Sequence, residues 1–83
     1  MKDFILIKDS ISEDIFLTKN IGRVRIDNEL LKNENNLYFF EMYLLIDKEW
    51  IEVYFKTKRE TIASFNEVKR ELTGEYEIQN ETI

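Results

Sequence analysis

Few residues in this chain can do acid–base work. Histidine and cysteine are both absent, which removes the side chain that titrates near neutrality, the commonest metal ligand and the thiolate nucleophile. Carboxylate, lysine and tyrosine chemistry remain. Within residues 36–56, NLYFFEMYLLIDKEWIEVYFK, Glu41 and Glu52 flank a run of aromatic side chains. Such a setting can raise the pKa of one carboxylate of a pair that acts on glycosides. Two glutamates that keep a strand soluble are the commoner arrangement, and this is the reading taken here.

Other reactive groups fall into structural roles. Ser10, Ser12 and Ser64 have no histidine to activate them, and each stands where a cap or turn needs a hydroxyl. Gly22 and Gly74 carry no phosphate-binding or nucleophile-elbow pattern around them. The run Asp9-Ser10-Ile11-Ser12-Glu13-Asp14 lacks the central glycine and distal glutamate of a calcium loop. No metal or cofactor site is expected. Asn80-Glu81-Thr82 matches a glycosylation sequon that matters only in a secreted chain. Lys56-Thr57-Lys58-Arg59, with Lys69 and Arg70, is the basic concentration, and Tyr54 and Phe55 beside it suggest a groove with stacking rings. Glu60, Glu67 and Glu71 interrupt it, so a continuous phosphate track is not expected and a solvated strand end is.

Composition narrows the partner. Twelve basic residues against seventeen acidic ones give a net charge of −5, which repels a nucleic-acid backbone overall and favours a basic protein surface. After Arg70 the remaining charges are all acidic: Glu71, Glu75, Glu77 and Glu81. The apolar runs, such as residues 4–7 and 43–46, fall far short of the roughly 20 residues that span a bilayer. Lys8-Asp9 ends the first run too early for a secretory core. A cytoplasmic location without membrane contact is expected. Abundant Asn, Ile, Lys and Glu, one alanine and no proline point to an AT-rich gene, as in a low-GC bacterium, its phages or its mobile elements.

At 83 residues the chain is expected to form one domain, with residues 79–83 a frayed tail. Phe4-Ile5-Leu6-Ile7 predicts a strand buried on both faces. Residues 11–20 are readable as a helix capped at Ser10-x-x-Glu13. They are also readable as a strand over Ile15–Thr18, hairpinned through Asn20-Ile21-Gly22 to the next element, and the β-rich composition favours this strand. Arg23-Val24-Arg25-Ile26-Asp27 alternates, placing Val24 and Ile26 inward and the arginines in water. Residues 27–36 form a polar connector with a possible helical turn at Leu30-Leu31.

The aromatic stretch reads as a hairpin turning at Asp47-Lys48. Tyr38, Phe40, Met42, Leu44, Ile46, Ile51, Val53 and Phe55 share its core face. The opposite face gathers Leu37, Phe39, Glu41, Tyr43, Leu45, Trp50, Glu52, Tyr54 and Lys56, too apolar for an ordinary solvent face. Either residues 27–36 or an N-terminal helix folds over it, or a partner covers it. Ser64-Phe65-Asn66-Glu67 predicts a helix cap, with Phe65, Val68 and Leu72 as its buried stripe and Gly74 as its end. Glu75-Tyr76-Glu77-Ile78 predicts a last strand.

The expected fold is therefore α+β: a small antiparallel sheet of four or five strands with one short C-terminal helix packed on one face. The expected function is that of a small, acidic, non-enzymatic binding protein that occupies the surface of a partner. The composition suits a phage or mobile-element inhibitor of a nucleic-acid enzyme, of the anti-CRISPR or anti-restriction kind. It also suits an immunity protein or antitoxin, or a self-associating structural module paired as a homodimer through the aromatic face. Phe39, Tyr43, Trp50 and Tyr54 are the expected anchors, with Glu41, Glu52, Glu71, Glu75 and Glu77 facing the partner's basic groups.

Overall fold

The structure, a computed structural model, describes residues 2–82 and the side chains of residues 2–73. Five strands and one long helix follow in order: β1 (Phe4–Lys8), β2 (Glu13–Leu17), a 3₁₀ turn (Thr18–Asn20), β3 (Ile21–Arg25), β4 (Tyr38–Leu44), β5 (Glu49–Phe55) and α1 (Lys58–Thr82). The fold is α+β, but its strands divide into two antiparallel sheets, a β1–β2 hairpin and a three-stranded sheet ordered β3–β4–β5.

The second strand thus exists, with a different partner from the one its turn suggested. Asp9 closes a tight turn between β1 and β2: its Oδ1 accepts from the N–H groups of Ile11 (2.9 Å) and Ser12 (2.8 Å), and its own N–H donates to the Ser12 carbonyl (2.9 Å). Ser10-x-x-Glu13 accordingly caps no helix. After β2 the buried Thr18 donates from its backbone and hydroxyl to the carbonyls of Asp3 and Lys2. The 3₁₀ turn then carries the chain into the other sheet. Asn20 anchors it there, its carbonyl accepting from Leu45 N–H (2.8 Å) and its side-chain oxygen from Ile46 N–H (2.7 Å).

β4 and β5 pair as their alternation requires, Tyr38 opposite Phe55, Phe40 opposite Val53 and Met42 opposite Ile51. Their turn is a four-residue loop, Leu45 to Lys48, rather than a turn on Asp47-Lys48 alone. Ile46 is therefore exposed in the loop and not on the core face. The core joins Phe40, Met42, Leu44, Val53 and Phe55 to Ile5 and Ile7 of β1, Ile21 of β3 and Val68 of α1. Phe40 stacks near-parallel on Phe55 at 6.0 Å and meets Phe65 of α1 edge-on at 5.7 Å. β1 buries one face only: Ile5 and Ile7 point inward while Phe4 and Leu6 are exposed, because the hairpin lies at the margin of the core and no described element packs on its outer side.

The helix cap lies seven residues before the expected one. Thr57 accepts from Glu60 N–H (3.1 Å), and its hydroxyl donates to the Glu60 carboxylate (2.8 Å), so Thr57-x-x-Glu60 fills the role assigned to Ser64-x-x-Glu67. The basic run at residues 56–59 is hence a helix start and not a strand end. At the other end Gly74 does not stop the helix, and residues 75–78 continue it instead of forming a strand. A lone glycine in a helix costs about 1 kcal/mol relative to alanine, too little to break a run with no proline in it. Residues 79–82 are likewise helical, and Ile83 lies outside the described residues.

The connector between β3 and β4 has no helical turn at Leu30-Leu31. Asx turns shape it instead: Asp27 Oδ1 accepts from Glu29 N–H, and Asn33 Oδ1 from the N–H groups of Asn35 and Leu37. Leu30 is buried at a left-handed φ of 49°, a conformation costing roughly 1–2 kcal/mol that its burial must offset.

Candidate functional site

The outward N–H and C=O of Tyr54 point away from β4, to Asp9 Oδ2 (3.2 Å) and to the N–H (2.8 Å) and hydroxyl (3.0 Å) of Ser10. Phe39–Tyr54, Glu41–Glu52 and Tyr43–Trp50 are therefore the close, non-hydrogen-bonded pairs of the β4–β5 ladder, where side chains approach most nearly. Six of the expected site residues, Phe39, Glu41, Tyr43, Trp50, Glu52 and Tyr54, thus form three rungs on one face. α1 packs on the other face of the same sheet, through Phe65 and Val68.

Each rung makes its own contacts. Phe39 and Tyr54 lie 6.0 Å apart at a tilt of 55°, and Tyr43 meets Trp50 edge-on at 5.4 Å, geometries worth roughly 0.5–1.5 kcal/mol each beyond the area they bury. The middle rung sets two like charges opposite each other, which is unfavourable unless each finds a partner. Glu41 takes Arg25, the residue across from it on β3, in a two-pronged contact (Nε–Oε1 2.9 Å, Nη2–Oε2 3.3 Å). Glu52 accepts from the Tyr54 hydroxyl.

Arg25 also lies over the indole of Trp50, its guanidinium carbon 3.7 Å from the ring centroid. Its expected place in water is only half correct: the head remains half-exposed, and the cation is spent on a ring and a carboxylate. The sequence carried a usable signal, since alternation put Arg23 and Arg25 on one face. Pairing β3 with β4 is what delivers that face to Trp50. Beside Trp50, Gly22, Arg23, Tyr43 and Leu45 line a shallow hollow of about 320 Å³. Gly22 sits at an irregularity in β3, where an added Cβ would stand 2.6 Å from Leu45 Cδ2.

The carboxylates act as hydrogen-bond acceptors. The hydrogen bond to Glu52, then burial, then the negative charges of Glu52, Asp9 and Glu41 push the Tyr54 phenol up to about 12. Tyr54 is a neutral donor across the physiological range, unsuited to work as a base. The four rings keep part of their surface open, so the face offers ordered aromatic edges, a stacked guanidinium and the second oxygen of Glu52.

Of the acidic C-terminal residues expected here, the described one, Glu71, does not join this face. Glu71 is half-buried on α1, on the far side of the sheet, and the side chains of Glu75 and Glu77 lie outside the described residues. Among the described residues no group of three or more acidic side chains could hold a metal ion, and no helix is long and apolar enough to cross a membrane. No family model, no curated protein and no solved structure matches the chain.

Proposed function

We propose that this is a non-enzymatic protein-binding domain that docks its aromatic β4–β5 face on a partner protein and blocks the surface it covers. The observation that carries the reading is the placement of Trp50, held between Tyr43 and the Arg25 guanidinium and still partly open. Rings fixed before binding lose little entropy on contact, and tryptophan, tyrosine and arginine dominate the energetic centres of protein interfaces. The net charge of −5 and the free oxygen of Glu52 favour a partner with a basic surface, such as an enzyme that handles nucleic acid. An anti-CRISPR or anti-restriction inhibitor acting in the cytoplasm fits this chemistry, and an immunity protein or antitoxin would use the face in the same way.

The test is affinity capture from lysate of the producing cells with wild type and Trp50→Ala as baits, both checked for folding by circular dichroism. A basic protein retained by wild type and lost from a folded Trp50→Ala supports docking. The same protein retained equally by both would remove Trp50 from the interface and, with it, this reading.

A further inference from the structure

The β1–β2 hairpin has an outer face that no other described residue covers. The register pairs Phe4 with Leu17, Leu6 with Ile15 and Lys8 with Glu13. These six side chains share one face, while Ile5, Ile7 and Phe16 on the other turn to the core. Phe4 is 57% exposed, Leu6 55%, Ile15 69% and Leu17 47%. Four large apolar side chains in two adjacent rungs make a continuous patch of the kind monomeric proteins seldom leave in water.

We infer that this face pairs with the same face of a second copy of the chain, in a two-fold dimer that stacks hairpin on hairpin. The argument is self-complementarity. A two-fold axis running along the strands, midway between β1 and β2 and above their outer face, carries β1 of one copy over β2 of the other at the same height. Phe4 then lies over Leu17 of the second copy, Leu6 over Ile15, and Lys8 over Glu13, with sheets about 10 Å apart as in stacked sheets generally. The charged rung at the tip therefore meets its opposite twice, where any register that set Lys8 over Lys8 would repel. A local charge of zero also lets two copies of net charge −5 approach here.

The four apolar side chains and the stems of Lys8 and Glu13 offer on the order of 500 Å² per copy, so about 1,000 Å² in the pair, the lower bound of a specific interface. An interface at that lower bound belongs with weak, rapidly exchanging pairs, and it is separate from the aromatic face.

Sedimentation velocity on the full chain from about 1 μM to about 1 mM tests it directly. The expected result is a monomer–dimer equilibrium. Ile15→Lys should weaken it by about tenfold or more with an unchanged circular dichroism spectrum, since Ile15 contributes nothing to the core. Lys8→Glu and Glu13→Lys should each weaken it, and an equimolar mixture of the two variants should restore it, because residue 8 of each copy then meets an opposite charge at residue 13 of the other while the pair within each chain stays broken, a rescue that a general loss of stability would not give. A monomer throughout the range overturns the inference, as does a dimer indifferent to Ile15→Lys or one dispersed by Trp50→Ala instead.

Discussion

The two outer sheet faces of this protein each set four large aromatic or aliphatic side chains in paired rungs and treat them in opposite ways. On β4–β5 the rings close on each other at 5.4 and 6.0 Å, Arg25 covers Trp50, and all four aromatic residues end up half-buried. On β1–β2 Phe4 is the one ring of the outer face, with no second ring to close on and no cation over it among the described residues, so Phe4, Leu6, Ile15 and Leu17 stay open. An outward-facing hydrophobic residue is thus exposed or not according to its neighbours across the ladder. Strand width matters as well. Three strands bring Arg25 alongside Trp50, whereas a two-stranded hairpin has no third strand to supply such a cap.

Five substitutions sharpen the contrast. The largest effect is expected beneath both faces. Phe40 is fully buried and touches Phe55 and Phe65, so Phe40→Ala should cost about 3–5 kcal/mol in urea denaturation. The two outer faces should then part company. Trp50→Ala removes a stacked indole and its cation, for an expected loss of about 1–2 kcal/mol. Ile15→Lys, measured at concentrations low enough to hold the chain monomeric, should stay within about 0.5 kcal/mol of wild type. Equal losses at the two positions would erase the distinction between the faces.

Arg25→Lys keeps the charge but gives up the planar stack and the fork to Glu41, and should cost about 1 kcal/mol, with Trp50 fluorescence shifting toward that of a more hydrated indole. The smallest effect concerns Tyr54. Its phenol is raised from 10.0 to about 12, so the folded state holds this proton more tightly than the unfolded chain. The stability this contributes is complete below pH 10 and is lost as pH rises through 12. A tyrosinate absorbance titration should show one late-ionising phenol that Tyr54→Phe abolishes.

Much of the aromatic face was legible in the sequence because strict alternation over residues 37–56 leaves one register that buries Phe40, Met42, Val53 and Phe55 together. Arg25 was assigned to water because single-strand alternation gives a residue's side but not its neighbouring strand. The same gap explains β2. Both of its flanking turns could close an antiparallel hairpin, and the Asp9 turn decides in favour of β1 through hydrogen bonds that composition does not rank. The helix start was ambiguous in kind, since residues 57–60 and 64–67 satisfy the same capping pattern and lie seven residues apart. The exposure of Leu6 is not legible, since a four-residue apolar run reads the same whether one face or both are covered. The β1–β2 patch is hidden in the sequence for the same reason: a strand expected to be buried on both sides offers no surface.

The central claim is that the aromatic face is the one a partner covers. Residue-resolved oxidative footprinting of the captured complex, against the free protein, tests it most directly. Strong protection of Tyr43, Trp50 and Tyr54, with Phe4 and Leu6 labelled as in the free chain, is the predicted pattern. Protection at Phe4 and Leu6, with Trp50 as reactive as before, would contradict it and assign partner binding to the β1–β2 hairpin.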